Sequence, residues 1–358
     1  MNKKIISLKA KKNARTAKYF FPLIKEPQNC FSKCGLLDLR KKYLNAGFIN
    51  EYQASNAFYG HSSVIRQYSS CKKTCPVSIE HGIYFGGENF SEIHRYDLPA
   101  VITFSYDRAK EIYKKTNKPA FSIGPYILYA RSFLDRKDFI SIKKQLGKVA
   151  LVFPAHTVEK TSIEYESDKF ISFIKEGTKS LGVNTVLVSS YFLDIANNLA
   201  LYESSGMKVV CSGSRFEKSF LNRQRSLIEL ADYVFTNSVG THIGYSVALN
   251  KPCSFFQQDS IRKFENENVK HVAAPNFETS RALEEKGCIA EAFRGLNTTI
   301  SGQQYSLVDQ FWGITQFRDP GFIRNVFKTS RLCLYGNKKI RNKANEDLLN
   351  MMEETFKR

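Results

Sequence analysis

The chain has 358 residues, of which 42% are hydrophobic and 13% aromatic, so it can bury a large core and its composition argues against wholesale disorder. Its formal net charge of +19 favours anionic partners, whether nucleic acid, an anionic membrane face or phosphorylated substrates. No apolar run is long enough to span a bilayer and the start lacks a signal-peptide core, which predicts a cytosolic protein.

Positive charge is concentrated at the N-terminus, ahead of the first acidic residue, Glu26. Such a segment can rest on anionic lipid, and a solvated tail is the alternative. Eight cysteines in a chain of this length do not suggest a disulfide scaffold. The pairs Cys30/Cys34 and Cys71/Cys75 have three intervening residues rather than the two usual for zinc sites. We therefore predict reduced thiols and no metal site.

The first half of the chain has the pattern of an α/β region with irregular connections. Its predicted elements are a turn opening a helix at 59–68, a strand at 76–85 interrupted by His81 and Gly82, a strand at 101–105, a helix at 107–115, an extended segment at 119–127 and a helix at 126–133. The polar stretch 136–148 is the predicted linker, which places the end of an N-terminal α/β domain at residue 146.

From residue 148 onward, strands and helices alternate regularly. The predicted strands are 148–153, 185–189, 208–211, 233–236 and 253–256, and the predicted helices are 170–181, 192–204, 220–231 and 242–250. Apolar strands with little alternation predict a parallel sheet covered on both faces. Residues 147–300 are thus the predicted C-terminal α/β domain. Residues 301–358 are predicted to form a helical return, with helices at 303–312, 320–327 and 345–357.

Small polar residues follow four successive strands of this predicted sheet. They are Pro154, His156 and Thr157; Ser189 and Ser190; Ser212, Gly213, Ser214 and Arg215; and Asn237, Ser238, Gly240, Thr241 and His242. Ligands of open parallel sheets bind outside the carboxyl ends of the strands, and hydroxyl, amide and guanidinium donors suit a phosphate. The turn 237–241 also opens a helix, whose N-terminus attracts anions; an ordinary connection in which Ser238 or Thr241 is only an N-cap is the alternative. The sequence contains no P-loop and no GxGxxG after a strand.

Several motifs carry a resemblance to known proteins: EHG at 80–82, FPAHT at 153–157, SGSRF at 212–216, ADYVFTNSVGTHIGY at 231–245 and FWG at 311–313. They resemble a group of bacterial proteins for surface-polysaccharide (capsule or O-antigen) synthesis. The two α/β halves look like the GT-B architecture of glycosyltransferases, in which two Rossmann-like domains face each other across a cleft and C-terminal helices pack back. Position 214 is Ser where that group tends to have His or Tyr, so donor preference can differ.

This resemblance implies a glycosyltransferase that moves a sugar from a nucleotide-sugar donor to a glycan or lipid-linked glycan acceptor, with no metal or cofactor. It also implies acceptor binding by residues 1–146 and donor binding by residues 147–300. The expected location is the cytoplasm, where the basic surface would suit peripheral contact with the inner membrane. The implied donor-binding residues are His156, Thr157, Ser212, Arg215, Asn237, Ser238, Gly240, Thr241 and His242.

An inverting transfer also needs a base for the acceptor hydroxyl. The candidates are His61, Glu80, His81 and Asp107, and the pair Glu80/His81 is preferred because it lies at a strand end beside a glycine that allows close approach.

Other functions stay open at this stage. A noncatalytic α/β assembly factor for polysaccharide export would keep the fold without the donor site. A nucleic-acid-binding protein would use the net charge, but no RRM, KH, OB or zinc-finger module is recognisable, so nucleic acid is not the expected partner. Within the enzyme class, a different activated donor such as CDP-glycerol is an alternative.

Overall fold

Two parallel β-sheets, one in each half of the chain, organise the fold of this computed structural model. The described residues are 17–20, 31–32, 35–36, 48–87, 90, 93–94, 97–156, 161–190, 199–213, 215, 217–264 and 279–357. The three strands of the N-terminal sheet and the C-terminal strands Val149–Phe153 and Cys253–Phe255 are fully buried, as expected of parallel sheets covered on both faces, whereas the strands Thr185–Ser190 and Lys208–Cys211 are buried only in part. The predicted α/β class with two parallel-sheet halves is confirmed.

The N-terminal sheet has three short parallel strands in the order β5-β6-β7. They are β5 (Ser78–Ile79), β6 (Val101–Thr103) and β7 (Ala120–Ser122). Its helices are α1 (His61–Tyr68) and α2 (Tyr106–Thr116), and 3-10 turns span Ala54–Gly60 and Tyr126–Tyr129. Small antiparallel pairs precede it: β1 (Ala17–Phe20) with β4 (Phe48–Glu51), and β2 (Phe31–Ser32) with β3 (Gly35–Leu36).

Sequence patterns were least reliable in this half. The strand predicted over 76–85 is only two residues long. Directly after its last residue, Ile79, the Glu80 side chain forms a buried ion pair with Arg108. The helix predicted at 126–133 is a single 3-10 turn that ends at Ala130, whose backbone is extended. The predicted linker contains an ordered helix, α3 (Arg136–Leu146), which Asp135 caps. The domain boundary at 146/147 remains a prediction.

The C-terminal sheet has five parallel strands in the order β11-β10-β8-β12-β13. The strands are β8 (Val149–Phe153), β10 (Thr185–Ser190), β11 (Lys208–Cys211), β12 (Tyr233–Thr236) and β13 (Cys253–Phe255). The helices are α4 (Ser167–Ser180), α5 (Leu199–Ser204), α6 (Phe220–Leu230) and α7 (Thr241–Ala248). In chain order, β10 is added on one side of β8 and β11 next to β10. The next strand, β12, pairs with the opposite side of β8. The strand order therefore reverses between β8 and β12.

Two features of this half were not predicted. Strands β9 (Thr161–Tyr165) and β14 (Ser260–Phe264) form an antiparallel ribbon beside the main sheet. Helix α8 (Ser280–Phe293) follows, begun by the Thr279 side chain, which accepts a hydrogen bond from the Ala282 amide. The two ribbon strands are nearly a hundred residues apart, so no local pattern announces their pairing.

The C-terminal helices α9 (Gly302–Trp312), α10 (Pro320–Tyr335) and α11 (Lys338–Phe356) pack back onto the N-terminal half, as predicted. Arg324 donates to the Ser69 carbonyl at 3.3 Å, and the Ala120 amide of β7 lies 3.5 Å from the sulfur of Met352. One core cluster includes side chains from both sheets and from these helices. Among the described residues, no helix combines the length and apolar character that crossing a bilayer requires.

Candidate active site between the halves

A cavity of about 360 Å³ lies between the two halves, at the carboxyl ends of β8 and β12. The C-terminal half contributes residues that include Phe153, His156, Ser189, Ser212, Ser238, Gly240, Thr241, His242 and Tyr245. The N-terminal half contributes Tyr59, His61 and residues 81–85. Because the strand order reverses between β8 and β12, this is the topological switch point at which open α/β sheets bind ligands.

A neutral histidine holds the loop between β12 and α7. Nε2 of His242 lies 3.1 Å from the Ser238 carbonyl and 2.8 Å from Oγ1 of Thr236. A carbonyl can only accept, so the proton of the imidazole is on Nε2. Burial lowers the pKa of His242 to about 3, and His156 adds to that effect. His242 therefore shapes the cavity as an uncharged group and supplies no positive charge to a phosphate.

The N-terminus of α7 forms part of the cavity wall and also joins the two halves. Its N-cap, Gly240, has an extended backbone and no side chain to cap the first amides. Oγ1 of Thr241, the first helical residue, accepts a hydrogen bond from the Ile83 amide at 3.3 Å. The positive end of a helix macrodipole thus lies beside the cavity, where it favours an anion.

His81 lies in the opposite wall, on the N-terminal half. Its ring packs edge-on against Phe58, with centroids 5.3 Å apart, and Nδ1 is 3.5 Å from the Tyr84 hydroxyl. A Cβ on the neighbouring Gly82 would lie 3.9 Å from Oγ1 of Thr241, so His81 is carried on backbone that approaches α7 closely. His81 thus follows the end of β5 and lines the cavity, and its role as a base stays a prediction.

Glu80 has a different position from the one expected of a general base. Its side chain is 5% exposed and does not line the cavity. Oε1 accepts from the Arg108 guanidinium at 2.7 Å, and Oε2 accepts from the Thr103 hydroxyl at 2.6 Å. A carboxylate held in this way stabilises the fold of the N-terminal half. Asp107, another candidate base, is exposed on the first turn of α2 and is not part of the cavity wall.

Two of the predicted donor-binding residues that the structure describes, Arg215 and Asn237, are not in the cavity wall. The Arg215 guanidinium lies over the Phe58 ring, 4.8 Å from its centroid, and the Arg215 carbonyl accepts from the Tyr59 amide. Oδ1 of Asn237 accepts from the Ala155 amide at 2.6 Å, which fastens the loop after β12 to the loop after β8. Thr157 lies outside the described residues. The cavity itself brings together His156, Ser212, Ser238, Gly240, Thr241 and His242.

Three buried polar groups in the cavity wall have no hydrogen-bond partner within the described part of the chain. They are Nδ1 of His61, Oγ of Ser212 and the hydroxyl of Tyr245, on side chains that are 2%, 3% and 2% exposed. Burial lowers the pKa of His61 to about 3, so its ring is neutral. An unsatisfied buried polar group costs about 1–3 kcal/mol. Three of them around one cavity offer a polar ligand or water hydrogen bonds there.

Sequence reasoning missed two residues of the wall. Tyr245 follows Thr241 by one helical turn, so the spacing within α7 could have identified it. Lys286 brings a cation to the cavity from α8 and lies 5.9 Å from the centroid of Phe85. No local signal connects Lys286 to this site, because α8 was not predicted and reaches the cavity only through tertiary packing.

Metal-ligating groups and thiols are scattered through the described residues. Within those residues there is no cluster of three or more His, Cys, Asp or Glu side chains suited to hold a metal ion. Cys71, Cys75, Cys211, Cys253, Cys288 and Cys333 form no disulfide among the described residues, and Cys211 and Cys253 are buried, as predicted for core positions. Cys30 and Cys34 lie outside the described residues.

Comparison with known proteins gives only remote structural likeness. No protein-family model matches the sequence. No curated protein matches it either. Solved structures with a similar arrangement include the wall teichoic acid polymerase TagF, with 14% identity, a TM-score of 0.33 and coverage of 75% of this chain and 62% of that one. UGT89C1 of Arabidopsis thaliana has 7% identity, a TM-score of 0.30 and coverage of 77% and 66%.

A UDP-glucose:anthocyanidin 3-O-glucosyltransferase in complex with UDP has 11% identity, a TM-score of 0.29 and coverage of 84% of this chain and 69% of that one. The chain therefore spans less than two thirds of the length of the TagF structure. Likeness at these scores carries no argument about function, so the assignment below depends on the cavity and the residues around it.

Proposed function

We propose that the chain is a glycosyltransferase of GT-B type, which transfers a sugar from a nucleotide-sugar donor to an acceptor hydroxyl in the cavity between the halves. The observation that supports this most is the position of the cavity. It lies at the switch point of the five-stranded sheet, and three buried polar groups without partners surround it. Residues 153–156 of one sequence motif and residues 238–242 of the other line the same cavity.

In this proposal the C-terminal half holds the donor. The N-terminus of α7 and the Lys286 ammonium stabilise the negative charge on the nucleotide phosphates. Ser212, Ser238 and the Tyr245 hydroxyl offer hydrogen bonds, while neutral His242 keeps the loop in shape. Arg215 does not line the cavity, so Lys286 takes the cationic role that the motif gave to Arg215.

The N-terminal half binds the acceptor and provides the base. His81 removes the proton from the acceptor hydroxyl as its oxygen bonds to the anomeric carbon of the sugar. The bond from that carbon to the diphosphate oxygen breaks, and the nucleotide diphosphate leaves with the electron pair. We propose a metal-independent, inverting reaction on a glycan or lipid-linked glycan acceptor of surface-polysaccharide synthesis. The sequence motifs support this assignment.

A thermal-shift screen of the purified protein with UDP, GDP, CDP, CMP and their sugar conjugates, CDP-glycerol included, tests the proposal. A ligand at a hundred times its dissociation constant stabilises the fold by about 2.7 kcal/mol. We expect one nucleotide family to give this shift and Lys286→Ala to reduce it. The matched control is Lys175→Ala, which removes an exposed lysine on α4.

Turnover of the responding donor then tests the base. His81→Ala should keep the thermal shift and lose about 10²–10⁴-fold in rate. If no nucleotide or conjugate shifts the melting temperature, the donor site does not exist and a noncatalytic role replaces the proposal. If His81→Ala turns over at the wild-type rate, His81 is not the base.

A further inference from the structure

The hairpin of α10 and α11 carries a basic run without a single acidic residue. Between positions 320 and 345 the sequence contains no Asp or Glu. The cations in this range are Arg324, Lys328, Arg331, Lys338, Lys339, Arg341 and Lys343. Of these, Lys343 forms ion pairs with Glu346 at 3.4 Å and Asp347 at 3.2 Å, which offset its charge. A basic run of this kind is often only a solvated face, so further observations must show whether it binds something.

Large apolar side chains are exposed where the hairpin turns. Leu332, Tyr335 and Ile340 are 41%, 62% and 42% exposed. The turn itself is tight, since a Cβ on Gly336 would lie 2.5 Å from Cγ2 of Ile340 and 2.6 Å from the Leu332 carbonyl oxygen. The end of α10 and the start of α11 therefore lie side by side. Exposed Lys338 and Lys339 precede Ile340 directly, so cations and apolar groups share one surface.

Tertiary packing adds two more lysines to this surface. Arg331 donates to the Lys73 carbonyl at 3.2 Å and to the Thr74 carbonyl at 2.8 Å, which holds the loop after α1 against α10. Lys72 and Lys73 in that loop are exposed. Helix α1 starts with His61 in the cavity wall, and its eight residues span about 12 Å. The length of α1 therefore separates the loop that carries Lys72 and Lys73 from the cavity wall at His61.

We propose that this hairpin surface, consisting of Lys72, Lys73, Leu332, Tyr335, Lys338, Lys339 and Ile340, docks on an anionic lipid bilayer. The lysines contact lipid phosphates and the apolar side chains enter the headgroup region, which is the combination that interfacial binding requires. Nucleic-acid phosphates would bind the lysines, but exposed Leu332 and Ile340 would contribute nothing to that binding. A second copy would bring like charges together, which disfavours self-association through this surface.

Sedimentation of the full chain with vesicles tests this inference without any nucleotide. We compare vesicles of phosphatidylcholine alone with vesicles of phosphatidylcholine and phosphatidylglycerol in equal parts. Each lysine near an anionic surface raises the binding constant about fivefold. The double substitution Lys338→Gln/Lys339→Gln should therefore weaken binding to the anionic vesicles by about 25-fold. Leu332→Ser/Ile340→Ser should weaken it several-fold and make the remaining binding more sensitive to salt.

The charge-matched control is Lys175→Gln/Lys179→Gln, which removes two exposed lysines from α4. It should change vesicle binding by less than about twofold, because its lysines lie outside the hairpin surface. Equal losses in the hairpin variant and this control would overturn the proposal, as would equal binding to both kinds of vesicle. A single-stranded RNA that binds the protein when vesicles do not, or a dimer that Leu332→Ser/Ile340→Ser disrupts, would also overturn it.

The nucleotide-induced thermal shift is measured on the same variants. A variant that loses vesicle binding and keeps its thermal shift supports the hairpin surface independently of the proposed donor site. A protein that binds anionic vesicles through this surface but responds to no nucleotide would support the membrane contact and remove the proposed transferase function. The two proposals can therefore fail separately.

Discussion

The two walls of the cavity are built in different ways. The C-terminal wall consists of loops that leave a regular five-stranded parallel sheet, where each loop follows from the strand before it. The N-terminal wall takes His61 from the start of α1, directly after a 3-10 turn, and His81 from the irregular chain after a strand of two residues. The loops of the first wall follow from local pattern, and only tertiary packing adds Lys286 to them, whereas long-range contacts hold the second wall.

This difference indicates how sensitive the structure of each wall is to substitution. The loop after β12 is shaped by hydrogen bonds within residues 236–242 and by the Ala155 amide, which donates to Oδ1 of Asn237. The strand end at His81 instead depends on the Glu80–Arg108 ion pair and on the contact between Ile83 and Thr241. Substitutions in the N-terminal wall should therefore have larger structural effects than similar substitutions in the C-terminal wall.

The largest effect should come from removing the charge of Glu80. Glu80→Gln leaves the buried Arg108 guanidinium without its carboxylate, and breaking a buried pair in this way costs about 3–5 kcal/mol. Urea denaturation measures the loss in the free energy of unfolding. Glu176→Gln on α4 is exposed and should change stability by less than about 0.5 kcal/mol. A Glu80→Gln protein of wild-type stability with abolished turnover would instead restore Glu80 as a catalytic group.

Gly60 tests the junction between the two halves. Its φ is +73°, and a Cβ there would lie 2.4 Å from the Lys218 carbonyl oxygen, so backbone must shift in Gly60→Ala. We expect a loss of about 3 kcal/mol, made up of left-handed strain and the clash. Gly182→Ala has the strain alone, since φ is +62° and nothing lies within 4 Å, and should lose about 1 kcal/mol. Equal losses measured by urea denaturation would show that the junction can relax.

The buried histidine of the N-terminal wall makes a prediction about pH. The pKa of His61 is lowered to about 3 by burial, so between pH 6.5 and 3 the unfolded chain binds a proton that the folded chain does not. Stability from this group is therefore complete above pH 6.5 and is lost as the pH falls. His61→Phe removes that dependence and should gain about 2 kcal/mol relative to wild type between pH 7 and pH 5.

Urea denaturation of both proteins at each pH gives this difference directly. Burial raises the pKa of Glu51 to about 7, which acts in the opposite direction, since its stabilising protonation increases as the pH falls from 7. That contribution is common to both proteins and cancels in the difference. A gap between wild type and His61→Phe that does not change with pH would mean that His61 is solvated or paired in solution.

The smallest effect concerns Tyr245 in the C-terminal wall. Its buried hydroxyl has no hydrogen-bond partner within the described residues, so Tyr245→Phe should leave the stability of the ligand-free protein unchanged or slightly higher. Binding of the responding nucleotide sugar should weaken about fivefold, the value of one hydrogen bond of about 1 kcal/mol. Calorimetric titration measures the affinity. Lower stability without ligand and unchanged affinity would show that the hydroxyl serves the fold.

In the C-terminal half, the strands and helices predicted from the sequence agree well with those of the structure. The strands β8, β10, β11, β12 and β13 were predicted within one residue at each end, and α6 and α7 within two. Their apolar runs are continuous because both faces of the sheet are covered, and turns of small residues separate them. The polar turn predicted at 237–241 lies at the start of α7, and its residues 238–241 line the cavity.

The sequence by itself therefore determined the α/β class, the parallel sheet and the loops that reach its carboxyl edge, because these depend on residue patterns over short distances. Tertiary structure alone decided which side chains meet in the cavity. Glu80 pairs with Arg108 instead of lining the cavity, and the Arg215 guanidinium lies over the Phe58 ring. Lys286 reaches the cavity from α8, and Arg331 holds the loop of Lys72 and Lys73 against α10. Burial, charge pairing and helix packing act between residues far apart in the chain, and no local pattern records them.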